Sequence, residues 1–158
     1  MESSNNLTRI ASFSVNHDFI TPGVYVSRID GDITTYDLRT RKPNEGDYMD
    51  NLIMHSVEHM FATLIRNSRL SDRVIYFGPM GCQTGFYLLV RDADDSEVYD
   101  IIIDVLKKII SYGGEMPGNS REECGNYRNL DLTAAKAECA RYLDVLSVAS
   151  ARFEYPKG

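Results

Sequence analysis

The segment HSVEH sets His55 and His59 four residues apart, with Glu58 between them and next to the second. On a helix that spacing turns both imidazoles to one face, where a single cation can be shared. Glu58 lies three residues from His55 and reaches the same place. A carboxylate there is suited to carrying protons beside a metal. A solvated helix face would also accommodate two histidines and a glutamate, so the motif needs support from elsewhere in the chain.

A first-row metal site of this kind wants a third protein ligand and a position left open for water or substrate. Cys124, in the turn-like stretch REECGNYRNLD, is the candidate. Its thiolate with two neutral imidazoles leaves a formal single positive charge on a divalent ion, which still acidifies bound hydroxyls. Zn, Fe(II) and Co(II) all fit such a donor set. Cys82 sits in the glycine-rich stretch GPMGCQTG, where exposed backbone N–H groups and close access suit a proton-shuttling thiol; a buried thiol at a tight strand end is the plainer alternative. Cys139 lies among Ala135, Tyr142, Leu143 and Leu146 at helical spacings and reads as core.

These residues must be positioned by the elements around them. Residues 23–39 read as two β-rich runs joined by the Asp30-Gly31 step, a hairpin signal. From Tyr48 to about Ser68, Leu52, Val57, Met60, Phe61, Leu64 and Ile65 recur at helical spacing, which predicts a long amphipathic helix with Asp47 or Asp50 near its start. RVIYF and FYLLVRD predict two further strands, separated by a turn in which Gly78, Gly81 and Gly85 would supply unusual backbone angles. Ser96-Glu97 reads as the cap and first turn of a helix that ends near Gly113-Gly114. Asp131 is placed to cap a last helix through LTAAKAECARYLDVL. Hairpin-like strand pairs mixed with helices predict an α+β fold, an antiparallel sheet packed against helices.

A chain of 158 residues, 43% hydrophobic, is long enough for one domain with a real core and short for two, so residues 1–158 are expected to form a single domain. A net charge of −6 without a basic run argues against nucleic acid or an anionic membrane as partner. The start lacks a basic region followed by an apolar run, and IIIDVLKKII is interrupted by charges, so a cytoplasmic protein is expected. Three scattered cysteines do not make a disulfide framework.

The motifs ASFSVNH, YDLRTRKPN, HSVEH, GPMGCQTGFYL and ECGN, in this order and spacing, resemble the S-ribosylhomocysteine lyase family, the LuxS enzymes. The resemblance covers nearly the whole chain. It implies that His55, His59 and Cys124 hold one divalent metal per subunit, natively Fe(II), with Zn or Co(II) as alternatives. It also implies that Cys82 and Glu58 are the acid–base pair and that Ser12, His17 and Arg39 contact substrate. An arginine near Cys82 would favour its thiolate. The chain departs from the resemblance at Tyr76 and Gly78, where many members carry an aspartate and a serine, so the resemblance leaves fine details of substrate contact open while still implying the metal site. Homodimers with active sites at the subunit interface are implied as well.

The activity so implied is cleavage of the thioether of S-ribosyl-L-homocysteine. Two aldose–ketose type isomerisations move the sugar carbonyl from C1 to C3, after which sulfur on C5 leaves by β-elimination. The products are L-homocysteine and 4,5-dihydroxy-2,3-pentanedione, the autoinducer-2 precursor, which ties methyl-cycle recycling to quorum sensing. The H-x-x-E-H pattern is also that of inverzincin metallopeptidases, which want a downstream carboxylate ligand such as Glu122 or Glu123 and leave Cys82 and Cys124 unexplained. A non-catalytic module with a closed four-coordinate site is a third reading.

Overall fold

The computed structural model describes residues 7–149 and 152–157. Strands β1 (Gly23–Asp30) and β2 (Ile33–Arg39) form the expected antiparallel hairpin. Its two-residue loop is Gly31-Asp32, one position later than the Asp30-Gly31 step suggested, because Asp30 still pairs with Ile33. Gly31 takes φ 63°, the left-handed conformation that such a loop demands.

Helix α1 (Asn51–Ile65) carries HSVEH and is shorter at both ends than the expected 48–68. Asp50 has extended backbone and accepts from the Ile53 N–H at 2.8 Å, which makes it the N-cap. Asp47 instead receives Arg41 and Arg141. Strands β3 (Val74–Pro79) and β4 (Gly85–Arg91) follow, and the four strands make one antiparallel sheet in the order β1-β2-β4-β3. Helix α2 (Asp95–Ile110) starts from Asp94 rather than Ser96, which with Glu97 falls inside its first turn. Helix α3 (Leu132–Val148) begins as expected, with Asp131 accepting from the Thr133 N–H at 2.9 Å. The fold is α+β.

Strand pleating gives the sheet two different faces. Val24, Tyr36, Leu38, Phe86, Leu88 and Val90 join the helices in one hydrophobic core. At its centre Phe61 of α1 stacks on Phe77, and Phe77 on Phe86, with centroids 4.4 and 5.1 Å apart. Cys139 is buried in this core, as its helical neighbours suggested, and burial followed by the nearby Glu138 charge pushes its thiol pKa up. Tyr25, Asp37, Arg39 and Tyr87 alternate with the core residues and therefore belong to the opposite face.

Candidate active site

Between α2 and α3 the chain wraps back over α1 and carries Cys124 with it. Four bonds tie this loop to the helix. His59 Nδ1 donates to the Pro117 carbonyl at 2.8 Å, and His55 Nδ1 donates to the Asn129 carbonyl at 2.8 Å. The Asn129 side-chain amide donates to Asn51, and the Asp131 N–H donates to the buried Ser56 hydroxyl at 2.8 Å. Gly118, at φ 70°, passes so close to His59 that an added Cβ would lie 3.0 Å from its Nδ1.

The consequence is chemical. Each histidine spends its Nδ1–H on a backbone carbonyl, which fixes the tautomer and leaves the Nε2 lone pair free to ligate. The Cys124 Sγ is 3.4 Å from His55 Nε2, and the ligand atoms of His55, His59 and Cys124 all lie within 4.8 Å of one another. An ion with nitrogen at about 2.0 Å and sulfur at about 2.3 Å sets tetrahedral ligand separations of roughly 3.5 Å, so the donor set fits a metal. The inverzincin reading needed a carboxylate here; instead sulfur completes the cluster, and the Glu123 carboxylate accepts from the Ser120 hydroxyl at 2.7 Å.

The cluster is not sealed. His55 and Glu58 line an open pocket of about 210 Å³ with Asn51, Asn126, Asn129 and Pro79. Pro79 also lines a second pocket, of about 390 Å³, and there Ser12, His17, Arg39 and Cys82 come together with Phe13 and Tyr87. The eight residues singled out from sequence thus fall into two groups, the metal-capable cluster with Glu58 and the thiol with its three companions, which adjoin at one proline.

Cys82 is exposed at the turn between β3 and β4, and that turn is held from several sides. The Met49 N–H donates to the Gln83 carbonyl, and the Gln83 amide returns a bond to the Met49 carbonyl at 2.6 Å, which couples the thiol turn to the start of α1. The N–H groups of Thr40 and Arg41 both donate to the Thr84 carbonyl at 3.0 Å. The expected reason for its glycines needs correcting. Gln83, at φ 67°, takes the left-handed angle, and none of Gly78, Gly81 and Gly85 does. Gly85 is required by space, since a Cβ would lie 2.6 Å from the Leu38 carbonyl oxygen of the neighbouring strand. At Gly78 a Cβ would meet the Tyr76 phenol, so Tyr76 and Gly78 are packed against each other.

Arg39 is only 2% exposed, and every edge of its guanidinium is occupied. Nε and Nη2 donate to the two carboxylate oxygens of Asp37 at 3.1 and 2.6 Å, and Nη1 donates to Thr84 Oγ1 at 2.8 Å. The same Nη1 lies 3.9 Å from Cys82 Sγ, which is itself 3.0 Å from Thr84 Oγ1. Burial opposes the charge on Arg39, but Asp37 outweighs it and holds the guanidinium pKa above its ordinary value. Asp37 and Thr84 were missed from sequence. A charged D-x-R pair alternating with apolar Tyr36 and Leu38 was the signal, because it marks two charges on one strand face.

Fold and site together define a class: an α+β protein in which a His-His-Cys cluster able to hold a metal adjoins a pocket bearing a thiol and a buried arginine. Within that class the chain belongs to the S-ribosylhomocysteinase (LuxS) family, whose model matches residues 10–152. It is 44% identical over 146 residues to the S-ribosylhomocysteine lyase of Finegoldia magna, covering 89% of this chain and 93% of that one. It is 41% identical to that of Desulfotalea psychrophila, covering 95% and 99%, and 37% identical to that of Borreliella burgdorferi, covering 95% and 100%.

Proposed function

We propose that this chain is a carbon–sulfur lyase that cleaves S-ribosyl-L-homocysteine to L-homocysteine and 4,5-dihydroxy-2,3-pentanedione. One observation carries the reading beyond family membership: the His-His-Cys cluster opens on a pocket with Glu58 that adjoins, at Pro79, the pocket of Cys82 and Arg39.

A thioether leaves poorly from an unactivated sugar, so protons must first be moved between neighbouring carbons until a carbonyl stands next to C4. His55, His59 and Cys124 would hold a divalent ion, Fe(II) natively with Zn or Co(II) as alternatives, and such an ion would supply Lewis-acid stabilisation of charge developing on the sugar oxygens. The proton transfers fall to Cys82 and Glu58, a thiol and a carboxylate that stand in adjoining pockets. Arg39 sets a fixed positive charge beside the sulfur, and Ser12 and His17 line the same pocket for the substrate's polar groups. The bond from His17 Nδ1 to the Val15 carbonyl, at 2.9 Å, leaves Nε2 available to them.

A homodimer with its sites at the subunit interface belongs to this reading. Exposed Phe13, beside the thiol, and exposed Ile10 and Leu7 in the same segment support it. A cytoplasmic setting belongs to this reading as well. Among the described residues no helix is long and apolar enough to cross a membrane.

The decisive assay incubates the purified, metal-loaded protein with S-ribosylhomocysteine and follows free thiol. Homocysteine should be released, and Cys82→Ala should slow the release by about 10²- to 10⁴-fold, the usual worth of a general acid–base group. Absence of release, or peptide hydrolysis in its place, would overturn the assignment.

A further inference from the structure

The buried Asp37–Arg39 pair does not stand on the sheet alone. Past the end of α3 the chain returns along β1: the Phe153 N–H donates to the Val24 carbonyl and the Val26 N–H donates to the Phe153 carbonyl, each at 2.8 Å. This short parallel pairing beside Tyr25 fixes the path of the chain two residues before Tyr155. The Tyr155 ring then stacks on Tyr25 with centroids 4.8 Å apart, and its hydroxyl donates to Asp37 Oδ2 at 2.8 Å.

Asp37 therefore accepts three bonds, two from Arg39 and one from Tyr155. The third matters because a bidentate arginine leaves a carboxylate with unused lone pairs, and in a buried site those must be satisfied or the pair loosens. Burial, followed by the Asp37 charge, pushes the Tyr155 phenol pKa up, so the hydroxyl keeps the proton it donates. Tyr25 is built differently. Its hydroxyl donates to the Thr21 carbonyl at 2.7 Å and makes no bond to Asp37.

We propose that Tyr155 is a positioning residue for the reaction: its hydroxyl holds Asp37, Asp37 holds Arg39, and Arg39 in turn presents Nη1 to Thr84 and Cys82. The chain of contacts runs from the segment after the last helix to the reactive sulfur, and Tyr155 itself lines neither pocket of the site. It rests on the reading of Cys82 as the proton-moving thiol.

Tyr155→Phe keeps the stacked ring and removes one hydroxyl, so the fold should survive, which a thermal melt checks. Two readouts are taken on the full-length protein. The first is the rate of Cys82 alkylation by iodoacetamide at one fixed neutral pH, with Cys82→Ala supplying the background; it needs no turnover and stays informative even if the lyase reading fails. The second is the split between kcat and KM for thiol release from S-ribosylhomocysteine. Loss of this hydrogen bond, only part of whose worth is passed through Asp37 and Arg39 to the sulfur, should lower both the alkylation rate and kcat by roughly three- to tenfold, with KM little changed. Tyr25→Phe, which removes the other hydroxyl of the same stack, should leave the alkylation rate at the wild-type value. An unchanged alkylation rate in Tyr155→Phe, or equal losses in both variants, would overturn the proposal, because a tail that merely packs would affect the two alike.

Discussion

The Sγ of Cys124 lies 3.4 Å from Nε2 of His55 although 69 positions separate the two residues in sequence. That closeness is enforced by the wrapped loop and not by the sulfur itself. The bonds from His55 to Asn129, from His59 to Pro117 and from Asp131 to Ser56 would hold the loop on α1 with any residue at 124. Ligand binding and folding are therefore separable at this position.

Cys124→Ser tests that separation. The variant should keep the helical far-UV signal of the parent while its metal affinity falls by at least about 100-fold, since even partners behind the ligands are worth 10- to 100-fold. Metal per chain after dialysis, read by elemental analysis, is the measurement. Full occupancy in the variant would remove Cys124 from the ligand set.

Glu58 should behave in the opposite way. It lines the pocket beside His55 but is not among the residues whose ligand atoms cluster. Glu58→Gln preserves size and hydrogen-bonding capacity and removes the proton-carrying carboxylate. Metal content should match the parent while homocysteine release drops by about 10²- to 10⁴-fold. Release at near-parental rate would take the proton-transfer role away from Glu58.

The parts of this arrangement that could be read in the sequence are those set by local periodicity. Spacing alone put His55, Glu58 and His59 on one helix, and Asp131 before an apolar run announced the cap of α3. The sequence locates the thiol turn but points to dihedral freedom for its glycines, whereas Gly85 is required by the approach of Leu38 across the sheet, a distance no sequence pattern reports. Asp37 stayed hidden because a strand's alternation shows that two charges share a face without showing what closes over them. Tyr155 was out of reach altogether, since its role depends on a tail pairing with β1 from more than a hundred residues away.

Gly85→Ala examines the corrected reason. A methyl group 2.6 Å from the Leu38 carbonyl oxygen meets backbone on a paired strand, which cannot turn aside as a side chain could. Overpacking of this kind costs about 1–3 kcal/mol, which in a chain of this length lowers Tm by roughly 2–4 °C per kcal/mol. Gly81→Ala is the comparison, because nothing lies within 4 Å of its Cβ position, and its effect should stay within about 0.5 kcal/mol. Equal melting temperatures for the two variants would show that the strands part to admit the methyl.

Alkali should expose the buried phenols. Burial is the first cause that raises the pKa values of Tyr25, Tyr36, Tyr87, Tyr142 and Tyr155 above the ordinary 10.0, and for Tyr36 the bond to Asp95 adds to it. The folded chain therefore keeps protons that the unfolded chain gives up above 10.0. The sign of the linkage follows: stability is fully present below that pH and is lost as pH rises toward the folded-state values. In a spectrophotometric titration at least these five of the ten tyrosines should lag, and they should ionise together with loss of the near-UV circular dichroism. Smooth ionisation of all ten before any unfolding would mean that the Tyr155–Asp37 and Tyr36–Asp95 bonds do not survive in solution.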